Sequence, residues 1–205
     1  IIEADRSVRT SGFAMRTELS GVELEGKTVG VIGFGEIGRR VATICQRGFG
    51  MKVLVTTAHP DVDRLNSLGV TGDFVEVDQL LAVSDFVSLN AAVNTRTMHM
   101  IGQKELMLMK PTAYLVNPSR GQLVDEVALV DALRRGEIAG YGSDVFDVEP
   151  PPPDHPAPRW PAKPPGCGSS ACPRVGSPRA AEADPPGATA GSPGAPATPE
   201  CHWAP

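Results

Sequence analysis

The sequence predicts an α/β fold with a doubly wound parallel sheet of the Rossmann type, and three observations predict it. Short apolar runs alternate with amphipathic stretches through residues 1–150, at the spacing of βαβ units. The runs are apolar on both faces, as strands covered by helices on two sides require. A glycine-rich turn joins the first run to the first amphipathic stretch. Right-handed crossovers bring the carboxyl ends of such strands to one edge, where we expect a ligand.

The elements follow in order along the chain. Strands are predicted where apolar residues run together, at Lys27–Gly33, Met51–Thr56, Asp73–Val77, Phe86–Asn90, Ala113–Asn117 and Ala139–Asp144. Helices are predicted between them from the spacing of apolar residues, at Glu36–Arg47, Asp61–Leu68, Asp78–Val83, Gln103–Met109 and Val124–Arg135. Pro111 stops the fourth helix and Gly136 follows the fifth.

Three of these helices have apolar residues at helical spacing, and we expect those residues to face the sheet. They are Ile37, Val41 and Ile44 in the first helix, Val62 and Leu65 in the second, and Leu123, Val127, Val130 and Leu133 in the last.

The composition divides the chain of 205 residues into unequal parts. Of its 20 prolines, 16 lie in Pro151–Pro205, which has one valine and no Leu, Ile, Phe, Met or Tyr. That segment cannot bury enough apolar surface to offset the entropy of ordering, so we expect a disordered, Pro/Ala/Gly-rich tail. Residues 26–150 form the predicted dinucleotide-binding domain, and residues 1–25 precede it. The net charge of −5 belongs to residues 1–150, because the charges of the tail cancel.

Several function classes are excluded by these counts. No run of 18 apolar residues predicts a membrane span, and no signal peptide is recognisable after Ile1. An acidic chain without a basic cluster is a poor partner for nucleic acid. Cys45 alone in residues 1–150 suits a reducing compartment, which predicts a cytoplasmic location. Cys167, Cys172 and Cys201 with His202 are too loosely spaced to predict a metal site.

The glycine-rich turn carries the most specific chemistry. Gly33, Gly35 and Gly38 form a G-x-G-x-x-G pattern directly after an apolar strand and at the start of a helix. Gly33 permits a tight turn, Gly35 lets the backbone approach a pyrophosphate, and Gly38 lets helix and strand pack closely. The free N–H groups and the positive dipole of the helix N-terminus favour phosphate. The pattern predicts NAD or NADP as cofactor.

The end of the second predicted strand bears on the choice between these two cofactors. An acid is expected there to hold the ribose hydroxyls of NAD, but Thr57 occupies the position. A hydroxyl can bond a ribose, and it does not repel a 2′-phosphate, so Thr57 slightly favours NADP over NAD. The preference is slight because no arginine follows immediately to bind a 2′-phosphate, and the nearest one is Arg64.

Three ordered motifs resemble those of the D-isomer-specific 2-hydroxyacid dehydrogenases, and most of all their phosphoglycerate dehydrogenase-like members. The motifs are Gly26–Gly38 (GKTVGVIGFGEIG), Met109–Gly121 (MKPTAYLVNPSRG) and Asp144–Pro150 (DVFDVEP). The resemblance covers roughly residues 1–156. It implies an oxidoreductase that moves hydride between a nicotinamide cofactor and a 2-hydroxy or 2-keto acid, and a homodimer joined through the cofactor domains.

The resemblance also assigns roles to single residues. It implies that Arg120 clamps the substrate carboxylate and keto oxygen, and that Glu149 orients a catalytic imidazole and raises its pKa. It implies that Asp144 lies near the nicotinamide carboxamide or ribose. It implies that the backbone of Glu36 and Ile37 contacts the pyrophosphate and that Pro118 and Ser119 lie beside the nicotinamide. It also implies that Asn90 forms part of the wall of the cofactor site, at a position where the family usually has His.

The sequence departs from the family at the catalytic histidine. The resemblance implies a His in a Thr-Pro-His-like segment some 18–20 residues after the glutamate, and no such segment is present. The first residues resemble an inter-lobe helix, and the similarity stops after Pro156. We therefore expect an inactive fragment whose last 45–50 residues are read out of frame. The alternative is a non-catalytic, corepressor-like NAD(P)-binding module with a Pro-rich interaction tail.

Overall fold

The structure is a computed structural model that describes residues 21–151. Its strands are β1 (Thr28–Ile32), β2 (Lys52–Thr56), β3 (Gly72–Phe74), β4 (Phe86–Leu89), β5 (Tyr114–Asn117) and β6 (Gly140–Ser143). Its α-helices are α1 (Glu36–Phe49), α2 (Val62–Ser67), α3 (Val77–Val83), α4 (Gln103–Leu108) and α5 (Glu126–Arg135), with a 3-10 turn at Gly121–Leu123. The predictions for residues 1–20 and 152–205, including the disordered tail and its cysteines, lie outside the described residues.

The six strands form one parallel sheet in the order β3-β2-β1-β4-β5-β6. The chain runs outward from β1 to β3, returns to place β4 beside β1, and then runs outward in the other direction to β6. This confirms the predicted doubly wound fold. The winding reverses between β1 and β4, and in sheets of this kind a ligand crevice is expected there, at the carboxyl ends of the strands.

Two apolar clusters cover opposite faces of the sheet. On one face, Val31 and Val55 pack with Ala42 of α1 and Leu65 of α2. On the other, larger face, side chains from α3, α4 and α5 pack on the strands, namely Leu80, Leu81, Leu106, Leu129 and Ala132. Alternate residues of one strand reach opposite clusters, which is why the strands are apolar on both faces.

The predicted apolar faces of the helices are wrong at four residues. Ile37 and Ile44 of α1 are 66% and 57% exposed, whereas Gly38 and Ala42 are buried. The helix approaches β1 through its small residues, and this close approach turns the larger isoleucines towards solvent. The same error affects Val62 at 59% and Val127 at 74% exposure, while their neighbours Leu65 and Leu129 are buried.

Helix ends depend on capping groups that the apolar pattern does not show. Helix α5 begins after Asp125, whose carboxylate accepts hydrogen bonds from the N–H groups of Val127 and Ala128 at 3.0 and 3.1 Å. The predicted helix began two residues earlier, and Leu123 belongs instead to the 3-10 turn. Helix α1 continues to Phe49, since Gly50 at φ 65° forms the left-handed C-terminal cap.

The amino ends of three strands are joined by Asp85. Its carboxylate accepts hydrogen bonds from the Thr28 N–H and the Lys110 ammonium, both at 2.9 Å. Its backbone N–H donates to the Thr28 carbonyl, and its carbonyl accepts from the Tyr114 N–H. Burial raises the pKa of Asp85, but the hydrogen bond from Thr28 and the charge and hydrogen bond of Lys110 outweigh it, so the pKa is lowered.

Within residues 21–151, none of the helices has the length and apolar character that crossing a bilayer requires.

Candidate functional site

The sheet brings the predicted site residues to one edge. Thr57 follows β2, Gly33 follows β1, Asn90 follows β4, Pro118–Arg120 follows β5 and Asp144 follows β6. Because the strands are neighbours in the order β2-β1-β4-β5-β6, these residues form a row along the carboxyl edge. Four strand spacings of about 4.8 Å give a row of about 19 Å. The edge can therefore hold one elongated ligand across the crevice.

The turn after β1 requires glycine at its first position. Gly33 has φ 93°, and its N–H donates to the Thr56 carbonyl at 2.8 Å. A Cβ at this position would lie 2.6 Å from the backbone carbonyl carbon and oxygen of Asn90. The turn thus fits between the ends of β2 and β4 because Gly33 has no side chain.

The other two glycines of the motif differ in what surrounds them. A Cβ at Gly38 would overlap the Gly33 carbonyl oxygen, so the close packing of α1 against the turn requires glycine at this position. A Cβ at Gly35 would meet nothing within 4 Å, and Gly35 is exposed. The space that a pyrophosphate would need is therefore open at Gly35, as the motif predicts.

The first turn of α1 lies at an exposed helix N-terminus. No side chain caps it, since Gly35 occupies the N-cap position. The Glu36 carboxylate pairs instead with Arg40 one turn further on, at 3.0 Å. The backbone N–H groups of Glu36 and Ile37 therefore lie at an exposed helix N-terminus, where dipole and donors both favour phosphate.

The end of β2 carries two threonines with different roles. The Thr56 hydroxyl donates to the Val75 carbonyl at 2.7 Å and ties β2 to the end of β3. Thr57 is half-buried, and its hydroxyl accepts only a long contact, at 3.5 Å, from the His59 N–H. Thr57 is thus the side chain that can donate a hydrogen bond to a ribose or a phosphate here.

Asn90 lies at the crevice between β4 and β1. Its Nδ2 donates to the Ser88 carbonyl and hydroxyl, both at 3.1 Å, and its backbone N–H donates to the Ile32 carbonyl. Its Oδ1 is buried and finds no hydrogen-bond partner among the described residues. An unsatisfied buried acceptor is costly, so a donor from bound water or ligand would stabilise this position.

Asn117, which the sequence pattern identified only as a strand end, shapes the loop after β5. Its buried side chain donates to the Arg120 carbonyl at 2.8 Å and to the Tyr141 hydroxyl at 3.3 Å. Its Oδ1 accepts from the Ser119 N–H at 3.1 Å. The Ser119 hydroxyl in turn donates to the Ala91 carbonyl at 2.8 Å. An Asn followed by a short polar turn is the signal that predicts such a loop.

The Arg120 guanidinium is exposed at this edge. It donates to the neighbouring Ser119 carbonyl at 2.8 Å, and no carboxylate in residues 21–151 pairs with it. The backbone beneath it is fixed, because a Cβ on Gly121 would overlap the backbone of Phe146. The loop backbone is thus closely packed while the guanidinium stays exposed, which suits a carboxylate ligand.

Two carboxylates follow β6 on the same edge. Asp144 is exposed, and its carboxylate has no hydrogen-bond partner within the described part of the chain. The Oε1 of Glu149 accepts from the Phe146 N–H at 3.0 Å, which leaves the second oxygen for another group. No contact joins Glu149 to Arg120 in the described residues. The roles that the resemblance implies for Asp144 and Glu149 stay predictions.

The segment that carries these carboxylates is held by Asp147. Its N–H donates to Glu126 at 3.1 Å, and its carbonyl accepts from Gln122 at 2.6 Å. Its carboxylate lies 4.0 Å from the His99 imidazole. His99, one of the histidines with no predicted site role, therefore contacts the segment between β6 and Glu149. No group of three metal-binding side chains exists within residues 21–151.

Comparison with known proteins identifies this arrangement. Residues 1–163 match the family model described as "D-isomer specific 2-hydroxyacid dehydrogenase, NAD binding domain". A glyoxylate reductase of Korarchaeum cryptofilum is 44% identical over 159 residues, which cover 76% of this chain and 47% of that protein. The chain thus spans about half the length of the curated relatives it matches.

Solved structures that resemble this chain are also reductases and dehydrogenases of 2-keto and 2-hydroxy acids. A glyoxylate reductase of Paecilomyes thermophila superposes with a TM-score of 0.64 at 39% identity, over 73% of this chain and 44% of that one. The D-lactate dehydrogenase of Lactobacillus jensenii with NAD+ gives 0.62 at 33% identity, over 70% and 42%. The turn at Gly33–Gly38 and the open first turn of α1 fit the NAD-type cofactor of this domain. The chain belongs to the D-isomer specific 2-hydroxyacid dehydrogenase family, through its NAD-binding domain.

Proposed function

We propose that this chain provides the NAD(P)-binding and carboxylate-binding part of a dehydrogenase that interconverts 2-hydroxy and 2-keto acids. One observation carries the proposal: Arg120, without a carboxylate partner in the described residues, lies on the same sheet edge as the open glycine turn. A cofactor lying along that edge would present its reactive end beside a guanidinium. The names of the relatives, glyoxylate reductase and D-lactate dehydrogenase, favour a small 2-keto acid.

The cofactor would lie along the row of strand ends. Its pyrophosphate would meet the N–H groups of Glu36 and Ile37 above Gly35. Its nicotinamide would face the loop of Pro118 and Ser119, with Asn90 beneath it in the crevice and Asp144 at the carboxamide. The bound nicotinamide supplies or accepts the hydride, and these residues hold and orient it.

Arg120 and Glu149 would act on the substrate side. The planar guanidinium of Arg120 matches a 2-keto acid, because it can donate to the carboxylate and keto oxygen together. Glu149, with one oxygen fixed by the Phe146 N–H, would orient an imidazole and raise its pKa through its negative charge. Such an imidazole would exchange the hydroxyl proton as hydride moves.

We infer that the 205-residue chain binds cofactor without turnover. A proton-transferring histidine with the motif of the family is not found after Glu149 in this sequence. A non-catalytic NAD(P)-binding module is the second candidate, because Glu149 is exposed with no imidazole against it in the described residues. We further propose a cytoplasmic location, since Cys45 is a free thiol, and a homodimer for the whole protein.

Binding measurements test the proposal. We expect the purified chain to bind NADH, followed by the emission of the reduced nicotinamide, and expect glyoxylate to perturb that signal. Arg120→Ala should weaken the glyoxylate effect by about 30-fold, from the loss of about 2 kcal/mol of charge-assisted hydrogen bonds. Arg134→Ala, on the exposed face of α5, is the matched control and should change nothing.

The results separate the candidates. No NADH binding would contradict the proposal altogether. NADH binding without any glyoxylate effect, or with an effect that Arg120→Ala leaves unchanged, would favour the non-catalytic module. Turnover on glyoxylate that Arg120→Ala abolishes would establish the dehydrogenase and overturn the inference that the chain alone is inactive.

A further inference from the structure

The Arg120 guanidinium is oriented by the peptide group directly before it. Its Nη1 donates to the Ser119 carbonyl at 2.8 Å, and this carbonyl belongs to the peptide that joins Ser119 to Arg120. The exposed side chain has no other hydrogen-bond partner in residues 21–151. The direction in which the guanidinium points therefore depends on how that peptide is held.

One buried side chain holds the peptides on either side of it. The Oδ1 of Asn117 accepts from the Ser119 N–H at 3.1 Å, which fixes the peptide between Pro118 and Ser119. Its Nδ2 donates to the Arg120 carbonyl at 2.8 Å, which fixes the peptide after Arg120. Asn117 is fully buried, so water does not compete for these bonds. The peptide that orients the guanidinium thus lies between two peptides that Asn117 holds.

The Asn117 amide is itself held by β6. Its Nδ2 also donates to the hydroxyl of the buried Tyr141 at 3.3 Å. The Ser143 hydroxyl donates to the Asn117 carbonyl at 2.9 Å. Both contacts come from the strand that ends one residue before Asp144. The turn that carries Arg120 and the strand that leads to Asp144 are therefore joined through Asn117.

These bonds explain why an amide stands at position 117. The side chain must donate two hydrogen bonds, to the Arg120 carbonyl and the Tyr141 hydroxyl, and accept one from the Ser119 N–H. A carboxylate of the same shape has no hydrogen to donate, and a hydroxyl has one. The amide therefore meets a demand that neither an acid nor a serine meets.

We propose that Asn117 and Tyr141 are positioning residues for the carboxylate-binding arginine. Asn117 holds the turn in which the Arg120 guanidinium faces the ligand edge, and the Tyr141 hydroxyl keeps the Asn117 amide in the orientation that this requires. The inference rests on the proposed binding of a 2-keto acid by Arg120. The affinity for that acid then depends on two buried side chains that do not touch it.

Binding of glyoxylate to the NADH complex of the 205-residue chain tests the inference. Tyr141→Phe removes one hydroxyl and keeps the ring, so it should weaken glyoxylate about threefold and change the NADH Kd by less than about twofold. Asn117→Ser leaves a single donor and should weaken glyoxylate about tenfold or more. Ser84→Ala is the matched control, since it removes a fully buried hydroxyl that bonds the Leu80 carbonyl at the amino edge. It should lower stability without changing the glyoxylate affinity.

A double-mutant cycle shows whether the effect passes through the arginine. Tyr141→Phe should weaken glyoxylate no further in a chain that already carries Arg120→Ala, because the turn then has no guanidinium to position. A purely structural role of Tyr141 would give the same loss of glyoxylate affinity with and without Arg120.

Nuclear magnetic relaxation of the Arg120 Nε–H measures the order of the guanidinium without any ligand. We expect its order parameter to fall in Tyr141→Phe and Asn117→Ser and to stay unchanged in Ser84→Ala. If Asn117→Ser does not fold, Tyr141→Phe alone decides.

An unchanged order parameter in the folded variants, or an equal loss of glyoxylate affinity with and without Arg120, overturns the inference while the proposed function stands. If the unsubstituted chain binds NADH but no glyoxylate, the carboxylate-binding part of the proposed function fails. The order parameter then still decides whether Asn117 and Tyr141 position Arg120.

Discussion

The two edges of the sheet use polar groups in opposite ways. At the amino edge, the Asp85 carboxylate binds the Thr28 N–H and Lys110, and the backbone of Asp85 bonds β1 and β5. At the carboxyl edge, Arg120 and Asp144 have no partner of opposite charge in residues 21–151. One edge therefore uses its charges for folding, whereas the charged side chains of the other edge remain available to a ligand.

The carboxyl edge is nevertheless firmly built. Asn117 fixes the loop below Arg120 with three hydrogen bonds, and Gly33 and Gly121 allow backbone segments to touch. Burial raises the pKa of the Tyr141 hydroxyl beside Asn117, and hydrogen bonds from Ser143 and Asn117 lower it less, so Tyr141 stays protonated as a bonding partner. The backbone is fixed by internal bonds, while the charged ends of the side chains face outward.

Among the proposed substitutions, we expect the strongest loss of stability at Gly38, in the first turn of α1. We expect Gly38→Ala to lower the free energy of unfolding by about 3 kcal/mol, because the new methyl group overlaps the Gly33 carbonyl. Gly35→Ala meets no atom within 4 Å and should change stability by less than about 0.5 kcal/mol. Urea denaturation followed by circular dichroism measures both.

The substitution at Gly35 should affect NADH binding rather than stability. Gly35→Ala should weaken NADH at least tenfold although it folds normally, because its methyl group occupies the space above the first turn of α1. A Gly35→Ala chain that binds NADH as well as the unsubstituted chain would show that the pyrophosphate does not lie there.

A smaller loss of stability is expected at the amino edge of the sheet. Asp85→Ala should lower the free energy of unfolding by about 2 kcal/mol, because it leaves the Thr28 N–H and the Lys110 ammonium unpaired. NADH affinity of the folded molecules should not change, because Asp85 is at the opposite end of β4 from Asn90. Lys104→Met, which removes an exposed pair with Asp78, is the control and should have no measurable effect. Equal melting curves for Asp85→Ala and Lys104→Met would contradict this account.

The sequence predicted the doubly wound parallel sheet and the positions of most of its strands and helices, because these depend on local patterns. Apolar runs, the glycine motif and the positions directly after strands needed no knowledge of distant contacts. Two of the wrong assignments, Ile37 and Ile44 in α1, have a common cause. Apolar spacing favours large residues, but α1 contacts the sheet through Gly38 and Ala42, where the close approach of the backbone determines the packing.

The missed residues depend on contacts far apart in the sequence. Asp85 bonds Thr28, 57 residues away, and Asn117 bonds Tyr141, 24 residues away. The turn signal after Asn117 predicts a loop, but no local pattern at either residue shows which distant groups its side chain bonds. The tertiary fold is needed to show which polar side chains are satisfied internally and which, such as Arg120, are left for a ligand.

The Asp85 carboxylate should also make the free energy of unfolding depend weakly on pH. Since the folded pKa of Asp85 lies below its unfolded value of about 3.9, the unfolded chain takes up the proton first as pH falls. The contribution of Asp85 to stability is therefore complete above about pH 5 and is lost as pH falls through the folded pKa. Chemical denaturation between pH 3 and pH 8 measures the free energy of unfolding of the unsubstituted chain and of Asp85→Asn. We expect the difference between the two free energies to be constant near neutrality and to become smaller below about pH 4. Lys104→Met should follow the unsubstituted chain throughout. A difference that widens towards low pH would mean that burial, rather than Thr28 and Lys110, dominates the environment of Asp85.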